Sequence, residues 1–511
     1  MTVTIANPLM QQLNDMVAIR MGLYFPLERQ VDLVRGVTSA AKEFGYSDTD
    51  SCIRWLVSSP LTQKQVEVLA SHLTIGETYF FRDSATFQAL EEHILPELIR
   101  QRRGKSQQFR IWSAACATGE EPYSVAILLQ KLIVNLDGWN ISILATDINP
   151  QAIKKARLGI YDNWSFRECP LPVKDKYFRR HNNGQFEISP DIKPMVTFGY
   201  HNLAIDPYPS LASNTNAMDI ILCRNVLMYF NRDTADLALS NFSKCLVEGG
   251  WLMVSPCDIP QGSNPGLRYA SHSGTILYRK DGQFSYETQA AFPGEITFFP
   301  PLENSPVTSK QSFLQGQKDT TTINRPPEIL EPLAVWNKTN KTQELPQSPY
   351  QQAMALFTQG AYAQAENVIS SVPADKVDAG MMILLARICA NQGKLEEALR
   401  NCQKSIELDK SNPNSRYMLA NIMQELGRIP EAVTALTQTL YLDPGFVLAY
   451  FAMGNIALRQ GDARKSTKYF ENVLSILSTR TQDDVLLGDG DISTGRLAEI
   501  IRSTISVEKT K

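Results

Sequence analysis

The sequence predicts a multi-domain protein with three folded parts: a small all-α N-terminal domain, an α/β domain built on a doubly wound, mostly parallel sheet, and an all-α domain of helical repeats. Three observations support this prediction. Apolar residues recur at helical spacing between residues 10 and 75. Short apolar strands alternate with helices between residues 109 and 280. A motif returns every 33 or 34 residues between residues 347 and 480.

The composition predicts a cytoplasmic protein that neither binds nucleic acid nor inserts into a membrane. The 511 residues carry a net charge of −3, so no overall basic excess favours a polyanionic partner. The eight cysteines and five histidines are dispersed without any CxxC pair, which is typical of a reduced compartment, and no metal site is predicted. We expect no signal peptide at the N-terminus, and the apolar runs are too short for a membrane span.

The α/β domain is organised around residues 109–123, FRIWSAACATGEEPY. An apolar strand is followed by small residues up to Gly119, and a helix then opens with two acids and a proline, as expected at a positive helix end. A second apolar strand ends in Asp147, 28 residues after Gly119, where a carboxylate can bind the vicinal hydroxyls of a ribose. The pattern predicts a ligand that carries an adenosine. Alanines at positions 115 and 117 replace glycines of a dinucleotide fingerprint, so a turn that only serves packing is the alternative.

Further motifs lie on both sides of this unit. They read TIGETYFFRD at residues 74–83, ACATGEEPYS at 115–124, ATDINPQAIKKARLGIY at 145–161, HNL at 201–203 and CRNVLMYF at 223–230. From about residue 15 to about residue 280, the chain resembles the CheR family, the S-adenosylmethionine-dependent methyltransferases of chemoreceptor glutamates. The resemblance implies a Rossmann-like class I methyltransferase domain with a small β-insertion, preceded by a helical domain.

The resemblance also implies S-adenosyl-L-methionine as the cofactor, together with a shell of residues that hold it. Asp147 is expected to bind the ribose, and the planar fork of Arg82 suits the methionyl carboxylate. Gly76 stands where the family often has asparagine. The predicted shell comprises Gly76, Thr78, Arg82 and Glu120 from the first motifs, Asp147, Asn202 and Leu203 on the ribose and adenine side, and Asn225 and Val226 at the methionyl end.

Arg224 and Tyr229 are the predicted catalytic residues, which would position the acceptor beside the sulfonium. An arginine can hold a carboxylate, and a phenol can face a positive charge. No general base is predicted, because a glutamate with a pKa of about 4.3 is already ionised at neutral pH. Structural roles are the alternatives for three residues: Tyr229 as a packed side chain, Arg82 as a surface arginine and Glu120 as an acid at a helix N-terminus.

The repeat is marked by Gly360, Gly393, Gly427 and Gly461, which are 33, 34 and 34 residues apart. A small residue precedes each glycine by seven positions and another follows it by five, where paired helices of the tetratricopeptide pattern touch. We expect this stack to fold by itself and to bind a protein or peptide on its concave surface. A helix with Leu497 on its apolar face is expected in the tail.

These observations predict five segments: a helical N-terminal domain at 10–90, a methyltransferase domain at 91–280, a flexible linker at 281–346, tetratricopeptide repeats at 347–480 and a tail with a helix at 481–511. The predicted function is O-methylation of glutamate side chains in the cytoplasmic region of methyl-accepting chemoreceptors, in chemosensory adaptation, with the repeats binding a further protein partner. Deletion of residues 347–511 is expected to leave intrinsic methyl transfer intact but to alter partner choice or localisation. The alternative is a signalling scaffold whose methyltransferase-like domain binds the cofactor but is inactive or uses another protein acceptor.

Overall fold

A computed structural model describes residues 7–105, 107–258, 266–272, 275–280, 297–298, 348–486 and 492–508. The predicted linker at 281–346 lies outside the described residues, apart from the two residues at 297–298. The predicted domain boundaries stay predictions. Among the described helices, none combines the length and apolar character that a membrane crossing needs.

The N-terminal part is helical, as predicted. Helices α1 to α4 pack around a core that includes Leu13, Val37 and Leu69, all three fully buried. Helix α4 begins with a capping box, in which Thr62 and Gln65 exchange hydrogen bonds with each other's backbone N–H groups. The helices of this part are α1 (Asn7–Met21), α2 (Gln30–Ala41), α3 (Thr49–Ser58), α4 (Gln63–Leu73), α5 (Ser84–Ala89) and α6 (Leu95–Arg102).

The α/β domain contains an eight-stranded mixed sheet. Its strands are β1 (Gln108–Ala114), β2 (Asn140–Asp147), β6 (Val196–Tyr200), β7 (Met218–Leu222), β8 (Leu246–Val254), β9 (Leu267–His272), β10 (Thr275–Lys280) and β11 (Thr297–Phe298). Between β2 and β6 the chain forms the three strands of the insertion, β3 (Ile160–Tyr161), β4 (Phe178–Arg180) and β5 (Phe186–Ile188). The spatial order is β11-β9-β10-β8-β7-β1-β2-β6. Strands β6, β2, β1, β7 and β8 run parallel, and β10 and β9 complete an antiparallel hairpin.

This order puts the carboxyl ends of β1, β2, β6 and β7 on one edge of the sheet. Because β2 and β7 flank β1 on opposite sides, the strand order reverses at β1, and ligands of open α/β sheets bind at such a switch point. Helices α7 (Glu120–Leu132), α8 (Pro150–Leu158), α9 (Leu171–Tyr177) and α10 (Arg232–Cys245) connect the strands. The sequence predicts six strands for this sheet, at 109–113, 141–146, 195–199, 218–223, 251–255 and 274–279. All six are present, whereas β9 and β11 were not expected.

The predicted β-insertion is a three-stranded antiparallel sheet in the order β3-β5-β4. Its aromatic side chains pack on the segment that precedes α5. The ring of Phe80 lies 5.0 Å from that of Phe166 and 4.7 Å from that of Phe178. The insertion therefore fixes the backbone just before Arg82.

The repeats form four antiparallel helix pairs, as predicted. Each of the four marker glycines lies between the two helices of a pair with a positive φ of 74° to 80°, a conformation that glycine adopts without strain. A Cβ on Gly454 would collide with the ring of Phe470 on the paired helix, so this close approach also requires glycine. The pairs are α11 (Pro349–Gln359) with α12 (Tyr362–Ser370), α13 (Ala379–Asn391) with α14 (Leu395–Leu408), α15 (Pro413–Glu425) with α16 (Ile429–Leu442), and α17 (Val447–Arg459) with α18 (Ala463–Leu477).

The repeat stack packs on the α/β domain at the amino ends of the strands. Leu211 of the α/β domain is buried among apolar residues of α13, α14 and α15. The carbonyl oxygen of Glu425 accepts hydrogen bonds from Asn140 Nδ2 at 2.6 Å and Gln108 Nε2 at 3.2 Å. The Glu425 carboxylate accepts another from Asn216 Nδ2 at 2.8 Å. The last helix, α19 (Thr494–Glu508), packs on α18 and reaches β6 and α8.

Candidate functional site

A crevice of about 290 Å³ opens at the carboxyl ends of β1, β2, β6 and β7. Both the helical front part and the sheet contribute to its walls, and Arg82 and Asp147 converge on it. All predicted site residues except Glu120 line it. They are Gly76, Thr78, Arg82, Asp147, Asn202, Leu203, Arg224, Asn225, Val226 and Tyr229.

The floor of the crevice is the turn between β1 and α7. Ala115, Ala117 and Gly119 have φ angles of 61°, 47° and 93°, so two alanines adopt the left-handed conformation expected of glycine. A Cβ on Gly119 would lie 2.8 Å from the Cβ of Ala156 on α8. Glycine is therefore required where α7 approaches α8, and the small residues keep the turn close to the ligand space.

Asp147 ends β2 with a side chain that is 7% exposed. Its two carboxylate oxygens accept hydrogen bonds from the N–H groups of Ala117 and Asn149, each at 2.8 Å. Burial raises the pKa of this carboxyl, and the backbone donors counteract that effect. The donors hold the carboxylate in place at the crevice wall, while its other lone pairs can accept two hydroxyl groups.

Arg82 supplies positive charge to the crevice. Its guanidinium donates to the carbonyl oxygen of Glu77 and lies 5.7 Å from the ring of Tyr79. Within the described parts of the chain, no carboxylate forms an ion pair with it. An anionic group in the crevice would therefore find a cation that is not already neutralised.

Arg224 is buried, with a side chain that is 3% exposed, and it ties three elements together. Its guanidinium pairs with Glu121 at 3.2 Å and with Asp83 at 3.1 Å, and it donates to the carbonyl oxygen of Arg82 at 2.9 Å. Two carboxylates thus already neutralise this cation. The geometry fits a residue that holds the Arg82 segment against α7, and binding of an acceptor carboxylate by Arg224 stays a prediction.

Asn225 and Val226 lie on a loop after β7 that is organised by Asp258. The Asp258 carboxylate accepts four backbone N–H groups: those of Asn225 at 2.5 Å and Ser255 at 3.2 Å on one oxygen, and those of Val226 and Met228 at 3.0 Å on the other. Asp258 is not among the residues predicted from sequence, because its role depends on a loop about 30 residues earlier in the chain.

Tyr229 follows on the same loop. Its ring lies 5.0 Å from the Arg29 guanidinium, and burial raises the pKa of its hydroxyl. The backbone carbonyl of Tyr229 accepts from the N–H of Tyr24. The loop after β7 is thereby joined to the N-terminal helices at the rim of the crevice.

Comparisons with known proteins agree with this geometry. Residues 76–261 match the family described as CheR methyltransferase, SAM binding domain, and residues 390–453 match the tetratricopeptide repeat. A probable chemotaxis protein methyltransferase of Rhizobium etli is 34% identical over 203 residues, which cover 39% of this chain and 73% of that protein. The chain belongs to the CheR methyltransferase family. Chemotaxis protein methyltransferase 1 of Pseudomonas aeruginosa is 31% identical, over 42% of this chain and 77% of that protein. A chemotaxis protein methyltransferase of Borreliella burgdorferi is 28% identical, over 53% of this chain and 94% of that protein.

The CheR domain binds S-adenosylmethionine, and the crevice fits the chemistry of that molecule. The fixed carboxylate of Asp147 suits the ribose hydroxyls. The guanidinium of Arg82, which has no carboxylate partner among the described residues, suits the methionyl carboxylate, and apolar side chains such as Ile148, Leu203 and Val226 line the remaining wall. A Cβ on Gly76 would meet no atom within 4 Å, so the backbone here leaves space for the first side-chain carbon of the asparagine frequent in the CheR family.

Glu120, which is predicted to belong to the cofactor shell, lies behind the crevice wall and is not among the lining residues. Its side chain is 1% exposed, and its two oxygens accept from Thr118 Oγ1 at 2.6 Å and Ser165 Oγ at 2.9 Å. Burial raises its pKa. The next residue, Glu121, lines the crevice instead. Successive residues of a helix point about 100° apart, so only one of two adjacent acids faces the ligand space.

Proposed function

We propose that this chain methylates glutamate side chains in the cytoplasmic region of chemoreceptors, with S-adenosylmethionine as methyl donor, and that its repeats bind a further protein. The observation that carries the proposal is the convergence of Asp147 and Arg82, from the sheet and from the helical front part, on one crevice. The names of the relatives, chemotaxis protein methyltransferases, support the same class of acceptor. A cytoplasmic location follows from this proposal.

The reaction needs alignment more than proton transfer. S-adenosylmethionine, when bound, supplies a methyl group that is activated by a positive sulfur. An acceptor glutamate would take this methyl group on a carboxylate oxygen, and no residue of the chain would have to remove a proton, because the acceptor is already ionised. Asp147 would hold the ribose and Arg82 the methionyl carboxylate of the donor, and Arg224 and Tyr229 would position the acceptor. Such alignment contributes roughly 7–11 kcal/mol.

Transfer of labelled methyl groups to a soluble receptor fragment tests the proposal. The wild-type chain and Asp137→Ala, a control at an exposed acid, should label the fragment, and base treatment should release the label as methanol, since esters hydrolyse in base. Asp147→Ala should abolish both donor binding and labelling. Wild-type protein that binds the donor but labels no receptor fragment would overturn the proposal.

The pairing of Arg224 with two carboxylates favours one alternative, a signalling scaffold that binds the donor without transferring its methyl group to receptors. Donor binding measured alongside labelling separates the two functions. The scaffold requires binding with no transfer to any receptor fragment.

A further inference from the structure

The tail helix α19 bridges the repeats and the methyltransferase domain. Leu497, Ala498, Ile501 and Ile505 are buried in the apolar core of the last repeat. The same helix contacts β6 and α8 of the α/β domain. One side chain of α19, Arg496, enters the α/β domain as a buried cation.

Arg496 joins three parts of the protein. Its Nε and Nη2 atoms donate to the two carboxylate oxygens of Asp206, at 2.5 and 3.0 Å. Its Nη1 atom donates to Gln63 Oε1 on α4 at 2.7 Å, and its guanidinium lies 5.4 Å from the ring of Tyr200 at the end of β6. The side chains of Arg496 and Asp206 are 10% and 1% exposed, so this bidentate pair is shielded from solvent.

Asp206 in turn holds the crevice wall. Its Oδ2 atom accepts the backbone N–H of Asn202 at 2.6 Å, and Asn202 Nδ2 donates to the carbonyl oxygen of Arg20 at 2.9 Å. The preceding residue, His201, donates its N–H to the carbonyl oxygen of Asp147 at 3.2 Å. Arg496 is therefore connected through one carboxylate to the segment that lines the crevice beside the ribose-binding acid.

The buried carboxylate of Asp206 needs a cationic partner, and Arg496 supplies it. Burial opposes the charge of Asp206, but Arg496 holds the pKa of this carboxyl below its usual range. His201, 3.9 Å from Asp206, is no substitute cation, because burial lowers its pKa. Without Arg496, a charged carboxylate would lie buried with no cation to balance it, and such a site rearranges.

We propose that Arg496 is a positioning residue for the methyl donor: by holding Asp206 it fixes Asn202 and Leu203, so donor affinity depends on docking of the tail helix. The inference rests on the proposed placement of the donor's adenine beside these two residues. Because coupling between sites is reciprocal, donor binding must also stabilise the docked tail. The tail helix and the donor site are thereby coupled through the ion pair of Arg496 with Asp206.

Calorimetry of S-adenosylhomocysteine binding to full-length variants tests the proposal. Arg496→Met should weaken binding by roughly 5- to 150-fold, the usual range of coupling between sites. Arg496→Lys, which keeps the charge but loses the bidentate fork, should recover part of the affinity. Arg502→Met changes an exposed arginine of the same helix and should bind like wild type.

The KM for S-adenosylmethionine should rise in Arg496→Met with little change in kcat. Equal affinities of Arg496→Met and Arg502→Met, with binding abolished in Asp147→Ala, would overturn the role of Arg496 and leave the donor site intact. Unchanged binding in Asp147→Ala would instead overturn the placement of the donor.

A measurement on the wild-type protein covers the case in which Arg496→Met does not fold. Saturation with S-adenosylhomocysteine should slow hydrogen exchange of the backbone amides in residues 494–505, which reports the reciprocal effect. Exchange in α18 at residues 466–477, within the repeat core, serves as the internal reference. Identical exchange of 494–505 with and without the ligand would overturn the proposal.

Discussion

Replacement of Arg82 by alanine tests whether this residue binds the carboxylate end of the methyl donor. A hydrogen-bonded pair between charged groups contributes about 1.5–3 kcal/mol. Arg82 is only partly buried, and solvent screening reduces its contribution to about 1–2 kcal/mol. We therefore expect Arg82→Ala to weaken S-adenosylhomocysteine binding about 5- to 30-fold.

A second ligand makes the test specific to the carboxylate. Methylthioadenosine has the adenosine and the sulfur but lacks the amino-acid carboxylate, so calorimetry should show equal affinity for it in Arg82→Ala and wild type. Asp147→Ala should lose affinity for both ligands, and Arg100→Ala, a change at an exposed arginine, should affect neither. If Arg82→Ala weakened both ligands equally, Arg82 would support the fold of the crevice and our placement of the donor carboxylate would be refuted.

Three further predictions concern individual residues. Gly76→Asn should tighten S-adenosylhomocysteine binding by calorimetry while Gly76→Ala does not, because the space is open and only an amide adds hydrogen bonds. Asp258→Asn should lower the free energy of unfolding by about 1–3 kcal/mol for each backbone N–H left unpaired, because a single amide oxygen replaces the two carboxylate oxygens that accept these N–H groups. A free energy of unfolding equal to that of wild type would contradict this. Burial lowers the pKa of His201 from its usual 6.5, so below pH 6.5 the unfolded chain binds protons more readily than the folded one. The free energy of unfolding should therefore fall by up to about 1.4 kcal/mol per pH unit as the pH drops below that value. In His201→Gln, the melting temperature should depend less steeply on pH than in wild type.

The sequence could predict that most of the candidate site residues meet at one crevice, because the topology of a parallel sheet brings them together. Asp147, Asn202 and Asn225 each follow a strand of one parallel sheet, and parallel strands present their carboxyl ends at a common edge. Arg82 was different, because nothing in its local pattern says that it faces the sheet. Its position came only from the resemblance to the CheR family.

The features that the sequence did not predict correctly have identifiable physical causes. Strand β9, with the sequence LRYASH, alternates weakly and follows a turn-rich segment, so its periodicity did not distinguish it from a loop. Glu120 and Glu121 are both suitable acids for a helix N-terminus, and only the rotation of α7 decides which one faces the crevice. Asp258 and Arg496 act on partners about 30 and 290 residues away along the chain, a separation that no single-sequence pattern encodes.

The contacts of the repeats argue against the expectation that this domain can be removed without consequence. The stack contacts the amino ends of the strands through Glu425 and Leu211, and no residue of 348–486 lines the crevice. The tail helix is therefore the element that connects the repeats to the donor site, and it also contacts the edge strand β6.

Two truncations separate these contributions. A chain ending at residue 486 keeps the Glu425 contacts but loses Arg496, and it should bind S-adenosylhomocysteine as weakly as Arg496→Met. A chain ending at residue 280 also exposes Leu211, and it should in addition unfold at a lower temperature and self-associate. If both truncated chains matched the full-length protein in affinity and melting temperature, the repeats would be an independent module, as the sequence alone suggested.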